Sequence, residues 1–305
     1  MIVFALKRLI LAVAVALFVS SLVFALTNAA ADPASVLAGE GAREADIQAI
    51  RAQFGFDRPL IEQYANWIGK AVQGDLGQSY RMKRPTADLL AESLPITAKL
   101  GVSALAFAIC LGIPLGVFAA IRPNSWIDRL ALSISVVGQA MPTFWFALLM
   151  ILLFGVTLRW LPISGSGTWQ HMIMPAIALG YYATPAIMRL TRAGMIDALA
   201  SDYIRTARAK GLLPPVILFK HALRNALVPV VSLAAVQFGF MLGGSVVIEA
   251  VFALPGLGSL AWEAITRSDL PVVQAIVLLV SLFYVVLTLL ADVFNAWLDP
   301  RIRLG

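Results

Sequence analysis

Six stretches of the chain contain no Asp, Glu, Lys or Arg and are long enough for a helix to cross a hydrocarbon layer. They run from Leu9 to Ala31, Leu100 to Ile121, Leu130 to Leu158, Trp160 to Met188, Asn225 to Ile248 and Leu270 to Ala291. A spanning helix needs roughly 20 apolar residues, so the pattern predicts an all-α integral membrane protein with six transmembrane helices. Pro162, Gly165, Gly167, His171 and Pro175 crowd the first half of the fourth stretch and move its expected start to near Met172. The uncharged run from Ala250 to Trp262 is too short to span and holds Pro255, Gly256 and Gly258, so it reads as a loop or short re-entrant piece.

Between the first two spans the periodicity changes. Ile47, Ile50 and Phe54 recur on one helical face of Glu44 to Phe54. A second helical face follows Pro59 with Leu60, Ile61, Tyr64, Trp67 and Ile68. Pro85 and Pro95 bracket a third short helix. The expected organisation is therefore a first span within residues 1–31, a helical extracytoplasmic segment at 32–99 and a transmembrane core at 100–305. Tyr64, Trp67 and Tyr80 are expected to pack this segment or rest at the membrane interface.

Composition agrees with the pattern. The chain of 305 residues is 60% hydrophobic and only 13% charged, with a mean hydropathy of +0.85, whereas a soluble domain carries about 25% charged residues. Placing the amino terminus in the cytoplasm gives that side a net charge of +8 and the other −2. That asymmetry follows the positive-inside bias and puts the carboxyl terminus inside as well. The basic balance thus reports orientation rather than nucleic-acid binding. Lys7, Arg8 and the small residues Ala29 to Ala31 imitate a signal peptide, but the long uncharged run favours a retained span. Cys110, the single cysteine, reads as a buried small apolar residue.

Polar and breaking residues within the spans suggest a passage. Gln139 and Met141 lie near Pro142 in the third span, and Gln237, Phe240 and Met241 lie among glycines in the fifth. An amide in lipid is costly, so Gln139 and Gln237 either line a pathway or bond other helices. The chain has no Gly-rich phosphate loop, no clustered metal ligands around His171 or His221, and no nucleophile and base within a span. An intramembrane enzyme is therefore disfavoured, and no catalytic, cofactor or metal residue is expected.

The longest cytoplasmic connection, 189–224, is basic and amphipathic. It reads as a helix through Ala193 to Lys210, a stop at Gly211, a break at Pro214 and Pro215, and a short helix from Val216 to Leu223. It could lie on anionic lipid, connect two spans in solvent, or dock a partner. The run Asp202 to Leu212 (DYIRTARAKGL), followed by His221 to Pro229 (HALRNALVP), resembles the coupling loop of binding-protein-dependent ABC importer permeases. It is most similar to the first permease of the dipeptide, oligopeptide and nickel importers. The wider family has Glu-Ala-Ala here; this chain has Arg205-Thr206-Ala207, keeping the second Ala and Gly211, a variant common in the peptide branch. Phe56 to Leu60, Gly74 to Ser79, Pro255 to Gly258, Asp269 to Gln274 and Leu298 to Arg303 resemble the same branch.

The resemblance implies a type I importer permease in a bacterial inner membrane. It would import dipeptides or oligopeptides, with glutathione or a nickel chelate as the alternative. The partners implied are a homologous second permease, one or two cytoplasmic ATPases that bind ATP and Mg, an extracytoplasmic solute-binding protein and membrane lipid. By the same resemblance Arg205, Ala207, Arg208, Lys210, Gly211, Leu212, His221, Arg224 and Asn225 form the ATPase docking region. Its coupling helix would run from about Leu212 to Ala222. A stand-alone secondary transporter would need a membrane-embedded coupling charge, which the spans lack.

Overall fold

The computed structural model describes residues 2–39 and 41–298. Asp299 to Arg303, which carry the last of the motifs and two of the basic residues used for orientation, lie outside the described residues. Among those described there is no strand, only an isolated bridge between Gln78 and Pro85. The helices are α1 (Ile2–Ala30), α2 (Pro33–Ala38), α3 (Glu44–Phe54), α4 (Leu60–Val72), α5 (Thr86–Ile121), α6 (Trp126–Ala140), α7 (Thr143–Met150), α8 (Gln170–Gly180), α9 (Thr184–Ala200), α10 (Asp202–Ala209), α11 (Leu223–Val251), α12 (Leu257–Thr266) and α13 (Leu270–Leu298). π-Helical turns at Ile151–Thr157 and Val216–Ala222 follow α7 and precede α11.

Among the described residues four helices are long and apolar enough to cross a bilayer, at Val13–Ala30, Thr86–Ile121, Val216–Gly243 and Leu270–Leu290. A fifth span results if Asp128–Ala140 and Thr143–Thr157, which meet at 102°, count as one broken crossing. The break falls at Met141, whose extended backbone is what a residue before proline prefers. The fourth expected span does not pass as one helix, because the turn at 181–183 cuts it into α8 and α9.

Three local expectations are corrected. Pro95 does not end a short helix; α5 runs through it to Ile121. Proline costs one helical hydrogen bond, but both flanking turns are anchored, with Leu89 and Leu90 buried before it and Thr97 Oγ1 accepting from Leu257 N at 2.8 Å after it. Cys110 is exposed on the single chain rather than buried. The run 250–262 is mostly helical: α11 ends at Val251 and α12 begins at Leu257.

The chain divides into two compact units. One comprises Ala98–Leu254 and the chain from Leu287 onward; the other comprises Ile2–Thr97 and Pro255–Val286. In the first unit α5 presents glycines to its neighbours. A Cβ on Gly116 would fall 2.6 Å from the Met188 carbonyl of α9, and one on Gly180 of α8 would fall 2.3 Å from the Ala104 carbonyl. Without these glycines the backbones could not approach so closely, which is how small residues pack membrane helices.

In the second unit Leu89, Leu90, Leu257, Leu260, Val272 and Ile276 form one buried cluster. Phe24 of α1 packs against Tyr64 and Trp67 of α4, with ring centroids 5.5 and 6.1 Å apart. Tyr64 Oη also donates to the Leu17 carbonyl at 3.1 Å. These aromatics therefore pack α4 onto the first span.

Candidate functional site

The connection from α9 to α11 is built around α10. Helix α9 stops at Ser201, whose extended backbone (ψ 156°) turns the chain. Asp202 in the first turn of α10 and Arg208 in its last both suit the helix dipole. At its end Leu212 N donates to the Ala207 carbonyl (3.3 Å) and Gly211 N to that of Arg208 (3.0 Å). With Gly211 left-handed at φ +73°, this is a Schellman turn. A Cβ on Gly211 would meet nothing within 4 Å, so the position calls for glycine through its backbone and not through crowding.

Ala207 acts differently. Its side chain is buried with Ile204, Ile217, Ala222 and Ala226, in one cluster with Val117, Met195 and Ala198. Burying Ile204 alone contributes about 2–3 kcal/mol. The two small residues of the motif therefore seat α10 and end it, while its charges face outward. Arg205 is 80% exposed, as a loose i,i+3 pair with Asp202 at 3.2 Å, worth little in water. Arg208 and Lys210 are exposed too.

The expected coupling helix from Leu212 to Ala222, held between two breaks, is not what forms. The helix begins at Pro214, passes through the π-helical turns and runs on unbroken into α11. Proline in a first turn loses no hydrogen bond the helix would make, so Pro214 and Pro215 start this helix. The helix bounded by turns at both ends is α10. Asn225 on α11 ties back to it, donating to Tyr203 Oη at 2.9 Å and to the His221 carbonyl at 3.2 Å. Arg224 is exposed and His221 half-buried. Leu213 and Phe219, 68% and 60% exposed, add apolar surface that motif reading missed; consecutive leucines in a basic loop were the available signal.

The residues picked for a pathway separate. Gln139 accepts from Arg189 Nη1 at 3.1 Å, and the same nitrogen reaches Ser135 Oγ at 3.3 Å. The Met141 carbonyl, at the α6–α7 break, accepts from Tyr181 Oη at 2.6 Å. On α11, Phe240 is exposed, Met241 buried and Gln237 intermediate. Arg192 and Asp128, counted only as charges in the sequence, form a bidentate pair with both contacts at 2.6 Å and Asp128 buried.

The remaining motifs converge in the second unit. Asp269 accepts from Ser79 Oγ, from Tyr80 N at 2.9 Å and from Arg81 N at 3.3 Å. Asp75 Oδ1 accepts from Gly77 N at 2.9 Å, where Gly77 has φ +81°. Burial, with the Asp269 charge adding to it, pushes the Tyr80 phenol up to about 12. These segments border a half-open cavity of about 560 Å³.

The chain is similar to known families and proteins along most of its length. The model of the family described as binding-protein-dependent transport system inner membrane component matches residues 112–304. The model of the N-terminal part of such membrane components matches residues 1–101. The glutathione transport system permease protein GsiC of Escherichia coli strain K12 is 42% identical over 301 residues, 98% of each chain. GsiC of Shigella boydii is 41% identical over the same share. Among solved structures, the inward-facing MetNI methionine ABC transporter superposes with a TM-score of 0.56 at 20% identity, over 69% of this chain and 96% of that one. An amino acid ABC transporter with histidines gives 0.51 at 19%, over 70% and 94%; both likenesses show the fold. Two family models that together match almost the whole chain, and relatives this similar along their full length, establish that it belongs to the binding-protein-dependent inner membrane permeases of ABC importers, in the dipeptide, oligopeptide and nickel branch.

Proposed function

We propose that this permease imports short peptides, glutathione among them, and that α10 is the element through which a partner ATPase drives it. The observation that carries the mechanism is α10 itself, a short helix set off by a turn at Ser201 and a Schellman turn at Gly211, seated on Ile204 and Ala207, with Arg205, Arg208 and Lys210 outward. A helix seated in this way transmits rigid-body motion, and alternating access is largely such motion. Exposed cations guide docking to an acidic groove and set its salt dependence. The cargo reading rests on relatives that are glutathione permeases over their whole length.

In this reading six crossings form half of the pathway, the fourth made by α8 and α9 together, with both chain ends in the cytoplasm. A second, homologous permease supplies the other half. One or two cytoplasmic ATPase subunits bind ATP and Mg, and an extracytoplasmic binding protein delivers the solute. This chain binds no cofactor and does no chemistry of its own. Gln139, Met141, Gln237 and Phe240 are the pathway candidates, with Arg189 added as the cation beside Gln139.

The test is ATPase activity of the reconstituted complex with loaded binding protein. Stimulation by di- and tripeptides or glutathione is expected; stimulation by none of them overturns the cargo reading. Gly211→Ala adds left-handed strain of about 1 kcal/mol without a clash. It is expected to lower peptide-stimulated ATPase several-fold while membrane insertion stays normal. Unchanged coupling in both Gly211→Ala and Arg205→Glu/Arg208→Glu would remove α10 from the role.

A further inference from the structure

The cavity in the second unit has features that the permease assignment leaves unused. Its volume of about 560 Å³ lies within the roughly 300–1,000 Å³ of small-molecule sites. Arg58, Lys70 and Lys83 line it and make no ion pair among the described residues. Asp75 is the one carboxylate among the lining residues, and one of its oxygens already holds Gly77 N. Three cations against one engaged acid favour an anion. Trp67, also in the wall, has a buried indole Nε1 with no hydrogen-bond partner, and an unpaired buried donor is costly. Gln63 spends its amide nitrogen on the carbonyls of Phe56 and Arg58, at 3.2 and 2.8 Å, and so fixes the backbone from which Arg58 projects.

Helix α4 shows which way the cavity faces. Ile61, Ala65, Ile68 and Val72 recur at intervals of four, three and four and form one stripe. Ile61 and Val72 are 82% and 83% exposed. Gln63, Asn66 and Lys70 stand on the opposite side and line the cavity. The flank between them carries Tyr64, which meets α1 at Leu17 and Ser20. The cavity meets α1 at Phe24 and Asn28, one to two turns nearer the end of the span, and Pro33 beyond it. The exposed apolar stripe is the surface that α4 offers to lipid, and the cavity lies on the face of the helix turned away from it.

We infer that this cavity is a solute site on the permease itself, for a short peptide with net negative charge, its carboxylates held by Lys70, Lys83 and Arg58. This rests on the peptide-cargo reading above and adds to it a holding site outside the membrane-spanning pathway. The site would raise the local concentration of acidic peptides at the entrance and bias the importer toward them.

The test uses the assembled complex in phosphatidylcholine nanodiscs without binding protein, and reduced glutathione and the dipeptide Lys-Lys as probes. Glutathione is expected to bind and Lys-Lys not. Lys70→Glu/Lys83→Glu should weaken glutathione at least about tenfold, equivalent to about 1.4 kcal/mol, and Lys70→Gln/Lys83→Gln by less. Both lysines are exposed, and the glutamine pair serves if the reversed pair fails to assemble. Equal binding of the two probes, no binding of glutathione, or binding indifferent to both variants overturns the proposal. So does phosphatidylglycerol that abolishes peptide binding and is retained by the native complex but not by the variants, since the cavity would then hold a lipid headgroup. Binding-protein-dependent uptake, measured in parallel, separates the two readings. Uptake without direct binding removes only this site, and no uptake of any peptide removes the cargo reading.

Discussion

Asp128 sits at the start of α6 with both carboxylate oxygens on Arg192 and a further hydrogen bond from Asn124 N at 2.8 Å. Removing one partner of such a pair leaves a charge without compensation, which costs about 3–5 kcal/mol, whereas replacing both is often nearly neutral. Asp128→Ala is thus expected to lower the thermal midpoint of the detergent-solubilised permease sharply, and Asp128→Ala/Arg192→Leu to recover most of the loss. A double variant no better than the single would show that Asn124 and not Arg192 carries the effect. Tyr80 offers a pH test. Its phenol is raised in the folded protein to about 12, so the neutral form is favoured by folding. The stabilisation is complete below the unfolded value of about 10 and is lost as pH rises from there through 12. The tyrosinate absorbance difference between native protein and Tyr80→Phe should accordingly appear near pH 12; a difference already complete near pH 10 contradicts the burial.

At the scale of elements, glycine marks two different requirements and, at one position, none. Gly211 is needed for its φ. Gly180 and Gly116 are needed for their missing side chains. Gly243 meets nothing within 4 Å and has neither demand. Gly180→Ala is expected to abolish stable assembly, while Gly243→Ala should be neutral or stabilise by up to about 1 kcal/mol; size-exclusion profiles and thermal midpoints of the two variants distinguish them. Much of the helix order was legible in the sequence, since α3, α4 and the start of α8 fall where period, proline and glycine put them. Gly211 was legible as a stop because a glycine after a basic helix end has a local cause. Pro95 misled because a proline's local cost is outweighed by Leu89, Leu90 and Thr97, whose partner Leu257 lies far along the chain. The identity of the bounded helix misled for a different reason: Pro214 and Pro215 mark a helix start as readily as a break, and it is the turns at Ser201 and Gly211 that separate α10 from its neighbours.

On the scale of the whole molecule, the features hardest to read from sequence join distant segments. Asp269 gives no local sign of its role, yet it gathers Ser79, Tyr80 and Arg81 from about 190 residues earlier. Asp269→Ala is expected to raise hydrogen exchange at the Tyr80 and Arg81 amides by orders of magnitude, with little change around Ile204 and Ala207 in the other unit. Unaltered exchange at Tyr80 would mean that the loop is held by other contacts. The same carboxylate sets a schedule for biogenesis. At translation rates of about 5–20 residues per second, Asp269 leaves the ribosome roughly 10–40 s after Ser79. Throughout that interval the loop at 79–81 lacks its clasp and α4 lacks the wall completed by Gln274. The nascent permease thus passes through a stage at which the segment at 79–81 has been made but is not yet latched by Asp269.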